Sequence, residues 1–285
     1  MKKTVGSVLI TFNRLELLKK ILLAIKSQTV PPDEIFVINN SSSDGTLEWL
    51  NSQEGITIIT QPNTGSSGGQ YTGFKAAYDK GYDLIWTMDD DVIPEPDCLE
   101  KLIGNFDDNT IRTPLRFTNE QKVFFNDTLE FNLTNPFKGI WKSIISDKDL
   151  NQEVIPAVGI TFEGPVIPRK VIEKIGLPMH NFFIFADDSE YFIRAAKIKA
   201  NIVIVKSAKL NRQLPVPDLT KEFSWKNYYI IRNIIAIDKM HGNFAVKFIR
   251  PFGYLIKWLF RAKTLSEIKT VFKSFFDGYF YKPSN

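Results

Sequence analysis

Leu84-Ile85-Trp86-Thr87-Met88-Asp89-Asp90-Asp91-Val92-Ile93-Pro94 joins an apolar run to three consecutive aspartates. A short apolar run of this kind reads as a buried strand, so the triplet crowds three like charges at a strand end. Carboxylates about 4 Å apart at an effective dielectric near 20 repel by roughly 4 kcal/mol per pair. The pattern therefore calls for something positive, and oxygen-only ligands suit Mg2+ or Mn2+. A second reading needs only one aspartate, as the cap of a helix over 94–103.

Working upstream, 5–11, 34–39 and 56–60 read as strands, and Leu17, Leu18, Ile21, Leu22 and Ile25 recur at helical spacing. Short helices are expected over 44–51 and 67–80. Alternating strands and helices imply an α/β fold with a mostly parallel sheet flanked by helices. Such sheets bind ligands beyond the carboxyl ends of their strands. The polar clusters at 11–14, 39–44, 63–69 and 89–91 all fall there.

Downstream, 105–152 loses periodicity and reads as irregular strands and loops. Order returns with a Gly/Pro-bearing stretch over 159–168, a helix over 169–175, a helix opened by Asp187-Asp188-Ser189-Glu190, a strand over 201–205 and a long helix over 224–239. Asp187 and Glu190 have capping-box-like spacing. Asp188, one position inside, would be kept ionised by the helix dipole and amide hydrogen bonds, ready to take a proton from a hydroxyl. The stretch Asn63-Thr64-Gly65-Ser66-Ser67-Gly68-Gly69 opens onto a helix. Its amides could face an anion, or its glycines could simply let helix and sheet pack closely.

At 285 residues the chain fits one elaborated domain, or a domain with an appendage. Lys and Arg number 36 against 32 Asp and Glu, an excess too modest for a nucleic-acid binder. The excess gathers late, where Lys247, Arg250, Lys257, Arg261 and Lys263 alternate with aromatics. Phe248, Phe252, Leu255, Leu259, Phe260, Phe272, Phe275 and Phe276 give apolar faces suited to an interfacial helix or to packing against the domain. The single cysteine, Cys98, excludes an intramolecular disulfide and is compatible with a reducing compartment. Residues 1–4 lead into an apolar run broken by Asn13 and Arg14, unlike a signal peptide, and no run is long enough to span a bilayer. The expected location is cytoplasmic, with any membrane contact peripheral. The sequons at Asn126 and Asn132 then read as chance matches.

Seven segments occur in order: VLITFNR (8–14), VINNSSSDGT (37–46), NTGSSGGQYTG (63–73), WTMDDDVIP (86–94), FEGPVIP (162–168), FIFADDSEYFIR (183–194) and YYIIRN (228–233). Over most of 5–235 the set resembles the family 2 glycosyltransferases of the GT-A fold, the Rossmann-like nucleotide-diphospho-sugar transferases, particularly bacterial galactofuranosyl- and rhamnosyltransferases. The resemblance implies a catalytic domain over 1–240, with a nucleotide-sugar half at 1–104 and an acceptor half at 105–240, then a helical appendage over 241–285. It places Thr11, Asn13, Arg14, Asn39, Asn40 and Asp44 around the base and ribose of the donor, with Asp90 beside them. Asn63, Gly65, Gly68 and Gly69 would floor the diphosphate and sugar. Asp89 and Asp91 match the ends of the Asp-x-Asp motif, Asp91 as metal ligand and Asp89 nearer ribose or metal. Asp188 becomes the catalytic base, with Gly164, Pro165, Asp187 and His180 toward the acceptor.

Two positions depart from the pattern. Asn39 offers a neutral amide where many relatives have aspartate, and 209–213 lacks the histidine that many relatives give to the metal. Trp86 and Trp225 could stack on sugars, although Trp86 reads as core, and Arg232 could reach a phosphate or pair with a carboxylate. The implied activity is Mn2+- or Mg2+-dependent, inverting transfer of galactofuranose from UDP-galactofuranose to a lipid-linked glycan of a bacterial surface polysaccharide. The alternatives are a rhamnosyltransferase using dTDP-rhamnose and, from another class, a non-catalytic nucleotide- or glycan-binding module.

Overall fold

Alternating residues of the first strands divide two apolar cores between them. In the computed structural model, which describes residues 3–104, 107–215 and 223–283, the chain begins β1 (Val5–Thr11), α1 (Leu15–Lys26), β2 (Glu34–Asn39), α2 (Thr46–Asn51), β3 (Thr57–Thr60), α3 (Gly65–Asp79) and β4 (Leu84–Asp89). Val8, Ile10, Phe36, Ile38 and Ile85 point to one face, where Phe74 and Ala77 of α3 cover them. Leu9, Ile35, Val37, Leu84, Trp86 and Met88 point to the other, against Leu18, Ile21, Leu22 and Ile25 of α1. Burial on both faces is why these strands read as nearly continuous apolar runs.

The chain continues through β5 (Val92–Pro94), α4 (Cys98–Ile103), β6 (Thr110–Phe117), β7 (Thr128–Phe131), β8 (Trp141–Ile144), β9 (Val154–Ala157), β10 (Val166–Pro168), α5 (Arg169–Ile175), α6 (Asp187–Lys197) and β11 (Asn201–Arg212). Among the described residues, nine strands form one sheet in the order β3-β2-β1-β4-β10-β6-β11-β5, with β9 also on β11. The expected parallel pairing holds from β3 to β4 and between β6 and β11. It gives way where β10 inserts antiparallel between β4 and β6, and where β5 and β9 pair antiparallel with β11. The sheet is therefore mixed.

Inside the stretch that lacks periodicity, β6 is a central eight-residue strand, obscured in the sequence by Arg112, Pro114 and Arg116. β11 runs on from 205 to Arg212 through a bulge. The helix after the triplet starts only at Cys98, with Asp97 at its cap, so no aspartate of the triplet caps it. Cys98 itself is fully buried against the second core.

After the sheet come α7 (Lys226–His241), α8 (Phe244–Leu259) and α9 (Leu265–Tyr279), which pack on one another through Ile231, Ile235, Trp258, Val271 and Phe275. Arg250 of α8 is buried and bonded to the fully buried Asp238 of α7, with Nε 2.8 Å from Oδ2, and also to the carbonyls of Asn132 and Lys138. No helix among the described residues is long and apolar enough to cross a membrane. The expectations at Met1, Lys2 and Asn105 lie outside the described residues.

Candidate active site

Because β1, β2, β3 and β4 are parallel, Thr11, Asn39, Thr60 and Asp89 finish on one edge of the sheet. The triplet is divided there. Asp90 is buried and turned toward β1, where the Thr11 hydroxyl donates to its Oδ2 at 2.8 Å and Arg14 to its Oδ1 at 2.9 Å. The same Arg14 nitrogen donates to Asp91 Oδ2 at 3.0 Å. The chain itself thus supplies part of the positive charge that the triplet demands. Among the described residues Asp89 has no such partner, only the Ser66 hydroxyl at 3.5 Å. Burial first, then the charges of Asp91, Asp90, Glu163 and Asp187, push its pKa well above the ordinary carboxylate range.

Among the described residues no group of three or more His, Cys, Asp or Glu is arranged to hold a metal ion. Asp89 and Asp91 are the carboxylates a divalent cation could use, and the rest of its shell would have to come from other oxygens, as is common for Mg2+ at phosphates. Residues 209–213 run beside the triplet, with Arg212 in register with Val92 and the Gln213 amide donating to the Asp91 carbonyl at 2.8 Å.

The expected donor residues gather at the same edge, mostly bonded to residues of the loops around them. Asn13 accepts from the Ser43 amide at 2.7 Å and donates its own amide to Ser42. Asp44 accepts from the Leu15 amide at 3.0 Å and the Thr46 hydroxyl at 2.6 Å. Burial would raise its pKa, but these hydrogen bonds outweigh it and hold the group low. Asn40 bridges the Gly65 carbonyl and Gln61. Asn39 is fully buried; its Oδ1 accepts from the Ser42 amide, and its Nδ2 has no partner among the described residues.

The glycines answer to packing. Gly65 has φ +73, and a Cβ there would lie 2.0 Å from the Phe183 carbonyl oxygen. At Gly69 and Gly73 a Cβ would meet Ile10 at 2.7 Å and Val8 at 2.1 Å, and at Gly68 the Thr64 hydroxyl at 2.2 Å. Asn63 accepts from the Gly65 amide, and the Ser67 amide is turned to the Phe183 carbonyl at 3.1 Å. Gly69 and Gly73 thus approach the sheet, whereas Gly65 and Gly68 lie against Phe183 and Thr64.

Helix α6 starts at Asp187 without a side-chain cap, after Ala186 in the left-handed conformation. The expected Asp187–Glu190 box is absent because the fully buried Glu190 is drawn instead to Arg194 and to His241 Nε2 at 3.0 Å. The expectation of a low pKa at Asp188 is reversed. Withdrawal from water raises both Asp187 and Asp188, and at Asp188 it outweighs the hydrogen bond from the Ser189 amide.

Glu163 stands in the quoted segment FEGPVIP, but the sequence gives it no role of its own. It lies near enough to Asp89 and Asp188 for its charge to act on both. It accepts from Arg116 at 2.8 Å and Arg212 at 2.6 Å, and Arg116, with no exposed side-chain surface, also holds Asp127 at 2.6 Å. The partners of Glu163 lie 47 and 49 residues away, so no local motif announces them. Gly164 (φ +86) and the buried Pro165 fasten this loop to β4. The Gly164 amide donates to the Thr87 carbonyl and the Thr87 amide to the Pro165 carbonyl, while the Trp86 indole donates to the Gly164 carbonyl at 3.0 Å. Trp86 is core, fully buried. His180 is exposed, its ring 5.2 Å from that of Tyr71. Arg232 donates to the carbonyls of Asn181 and Phe182. Trp225 is 60% exposed and sits edge-on to Phe183 and Tyr229, which stack at 4.8 Å.

Residues 7–176 match the family model "Glycosyl transferase family 2". The galactofuranosyltransferase GlfT1 of Mycolicibacterium smegmatis is 23% identical over 210 residues, covering 68% of this chain and 66% of that protein. The O-antigen chain rhamnosyltransferase RfbN of Salmonella typhimurium is 26% identical over 208 residues, covering 70% and 62%. The chain thus spans somewhat less than two thirds of these relatives. Among solved structures, that of GalNAc-T7 with UDP, GalNAc and Mn2+ superposes with a TM-score of 0.66 at 10% identity, covering 95% of this chain and 54% of that one. The architecture is therefore the GT-A fold.

Proposed function

This chain belongs to glycosyl transferase family 2, and from that premise we propose that it is an inverting transferase carrying galactofuranose from UDP-galactofuranose to a glycan of a bacterial surface polysaccharide. The observation that carries the reading is Glu163, whose charge reaches both Asp89 at the carboxyl end of β4 and Asp188 at the head of α6. Asp188, ionised, takes the proton of an acceptor hydroxyl as that oxygen attacks the anomeric carbon from the side opposite the diphosphate. The bond from that carbon to the diphosphate oxygen breaks with inversion, and the proton ends on Asp188. Thr11, Asn13, Asn39, Asn40 and Asp44 hold the nucleoside, and Gly164, Pro165, Asp187 and His180 border the acceptor. Mn2+ or Mg2+ bound at Asp89 and Asp91 would neutralise charge on the leaving diphosphate. Arg14 keeps Asp90 and Asp91 in place from the nucleoside side.

Similarity to the galactofuranosyltransferase supports the first donor, and similarity to the rhamnosyltransferase supports dTDP-rhamnose as the second. Calorimetric titration with UDP and with dTDP, each with and without Mn2+, separates them. UDP is expected to bind more tightly and to gain at least about tenfold from Mn2+, a difference of 1.4 kcal/mol. Asp91→Ala should abolish that gain, and an unchanged gain would remove Asp91 from the metal site. Preference for dTDP would select rhamnose, and binding of neither would leave a non-catalytic module.

The acceptor in this reading is lipid-linked, which gives the last helices a role at the inner face of the membrane. Phe244, Phe248, Ile249, Phe252, Ile256 and Phe260 are all exposed along α8 and its end, with Lys247, Lys257 and Lys263 nearby. An apolar face with basic flanks suits an anionic bilayer surface. Phe248→Gln, Ile256→Gln and Phe260→Gln together should lower binding to anionic liposomes at least about tenfold, each buried CH2 being worth about 0.8 kcal/mol. Turnover of a soluble acceptor should stay unchanged. Undiminished liposome binding would discard the role. Substitution is a cleaner probe than truncation, since Arg250 ties α8 to α7.

A further inference from the structure

The segment Tyr228-Tyr229-Ile230-Ile231-Arg232-Asn233 lies on α7, and nothing in the reaction above uses it. Asn233 is fully buried, and its Nδ2 stands 3.0, 2.9 and 2.7 Å from the carbonyl oxygens of Phe182, Ile184 and Phe185. An amide has two N–H bonds, so three acceptors mean that one hydrogen is shared. Arg232 beside it donates to the carbonyls of Asn181 and Phe182 at 2.9 and 2.8 Å. Two neighbouring side chains of one helix therefore grip four carbonyls of the segment that leads directly into Asp187-Asp188.

That segment is in the left-handed region at three residues that are not glycine, Phe183 (φ 64), Phe185 (φ 76) and Ala186 (φ 65). Side-chain-bearing residues stay there only where their surroundings over-determine them. On its far side the Phe183 carbonyl accepts the Ser67 amide at 3.1 Å, in the first turn of α3, next to the serine that faces Asp89. One strained loop thus touches α7, the donor-side helix and the start of α6.

We infer that Asn233 is a positioning residue: its carboxamide holds loop 181–186 in the left-handed conformation that sets Asp188 at the head of α6. The inference rests on Asp188 being the base and adds what places it. It accounts for Asn233 by geometry alone, since the side chain makes its hydrogen bonds to the loop and to Arg232.

The test uses the full chain carrying Asn233→Ala. Hydrogen exchange, which needs no substrate, should quicken at least about tenfold over 181–190 while β1, β2 and β4 keep their protection. Turnover should fall about 100-fold, as expected for displacement of a catalytic group by about 1 Å, with nucleotide affinity within about twofold. Adding Ala186→Gly should restore at least about tenfold of that turnover, because glycine occupies the left-handed region unaided. Asn233→Ser, which keeps one donor, should fall between the two and serves if the alanine variant does not fold. Turnover within threefold of native despite a loosened loop would overturn the inference. So would lost turnover with unchanged exchange, or no recovery with Ala186→Gly. An Asp188→Asn protein with undiminished turnover would instead remove the base assignment and leave the exchange result standing.

Discussion

Asp188→Asn is expected to lower transfer by about 10² to 10⁴-fold, the usual contribution of a positioned general base, with nucleotide affinity within about twofold. The amide matches the carboxylate in shape, so the hydrogen bond from the Ser189 amide survives while the site for the acceptor's proton is lost. The pH profile carries a second signature. Burial raises Asp188 above its ordinary range, and only the ionised form accepts a proton, so activity should fall with decreasing pH from a point higher than the roughly 3.9 of a free aspartate. Single-turnover assays of native and variant protein across pH measure this directly. Variant activity within threefold of native would take Asp188 out of the chemistry.

Arg250→Ala is expected to cost about 3–5 kcal/mol of stability, because it strands a buried carboxylate. Asp238 has no exposed surface and Arg250 almost none, and the guanidinium also serves the Asn132 and Lys138 carbonyls. Replacing the pair together, with Arg250→Met and Asp238→Leu, should recover much of the loss, since desolvating both charges consumes most of what their attraction supplies. Urea unfolding of the three proteins gives the comparison through midpoint and slope. A single-variant loss below about 1 kcal/mol would mean that the site admits water and that α8 is not fixed through this pair.

The parts legible in the sequence are those whose cause is local. β1, β2 and β4 show as apolar runs because both of their faces are covered. Helix α6 shows through its acidic start, although the cap geometry inferred from Asp187 and Glu190 does not form. β6 is hidden because Arg116 sits in it as a buried cation whose partners, Asp127 and Glu163, are remote in the chain. The same remoteness hides the ion pairs of Glu163, although the residue lies in the quoted segment FEGPVIP. Three like charges in a row give no sign that Thr11 and Arg14 answer Asp90, through contacts spanning 76 to 79 residues. Periodicity reports which face of an element is covered; it says nothing of which distant side chain answers a buried charge.

The placement of Cys98 has a practical bearing on how this protein can be probed. Its thiol is sealed in the core beneath α4, and burial raises its pKa, so almost none is present as reactive thiolate at neutral pH. To a maleimide or an alkylating reagent the folded chain presents no nucleophilic sulfur. A cysteine introduced at an exposed position of α8 or in the loop before α6 would therefore be a unique attachment point for a fluorophore or spin label, with the native thiol left in place.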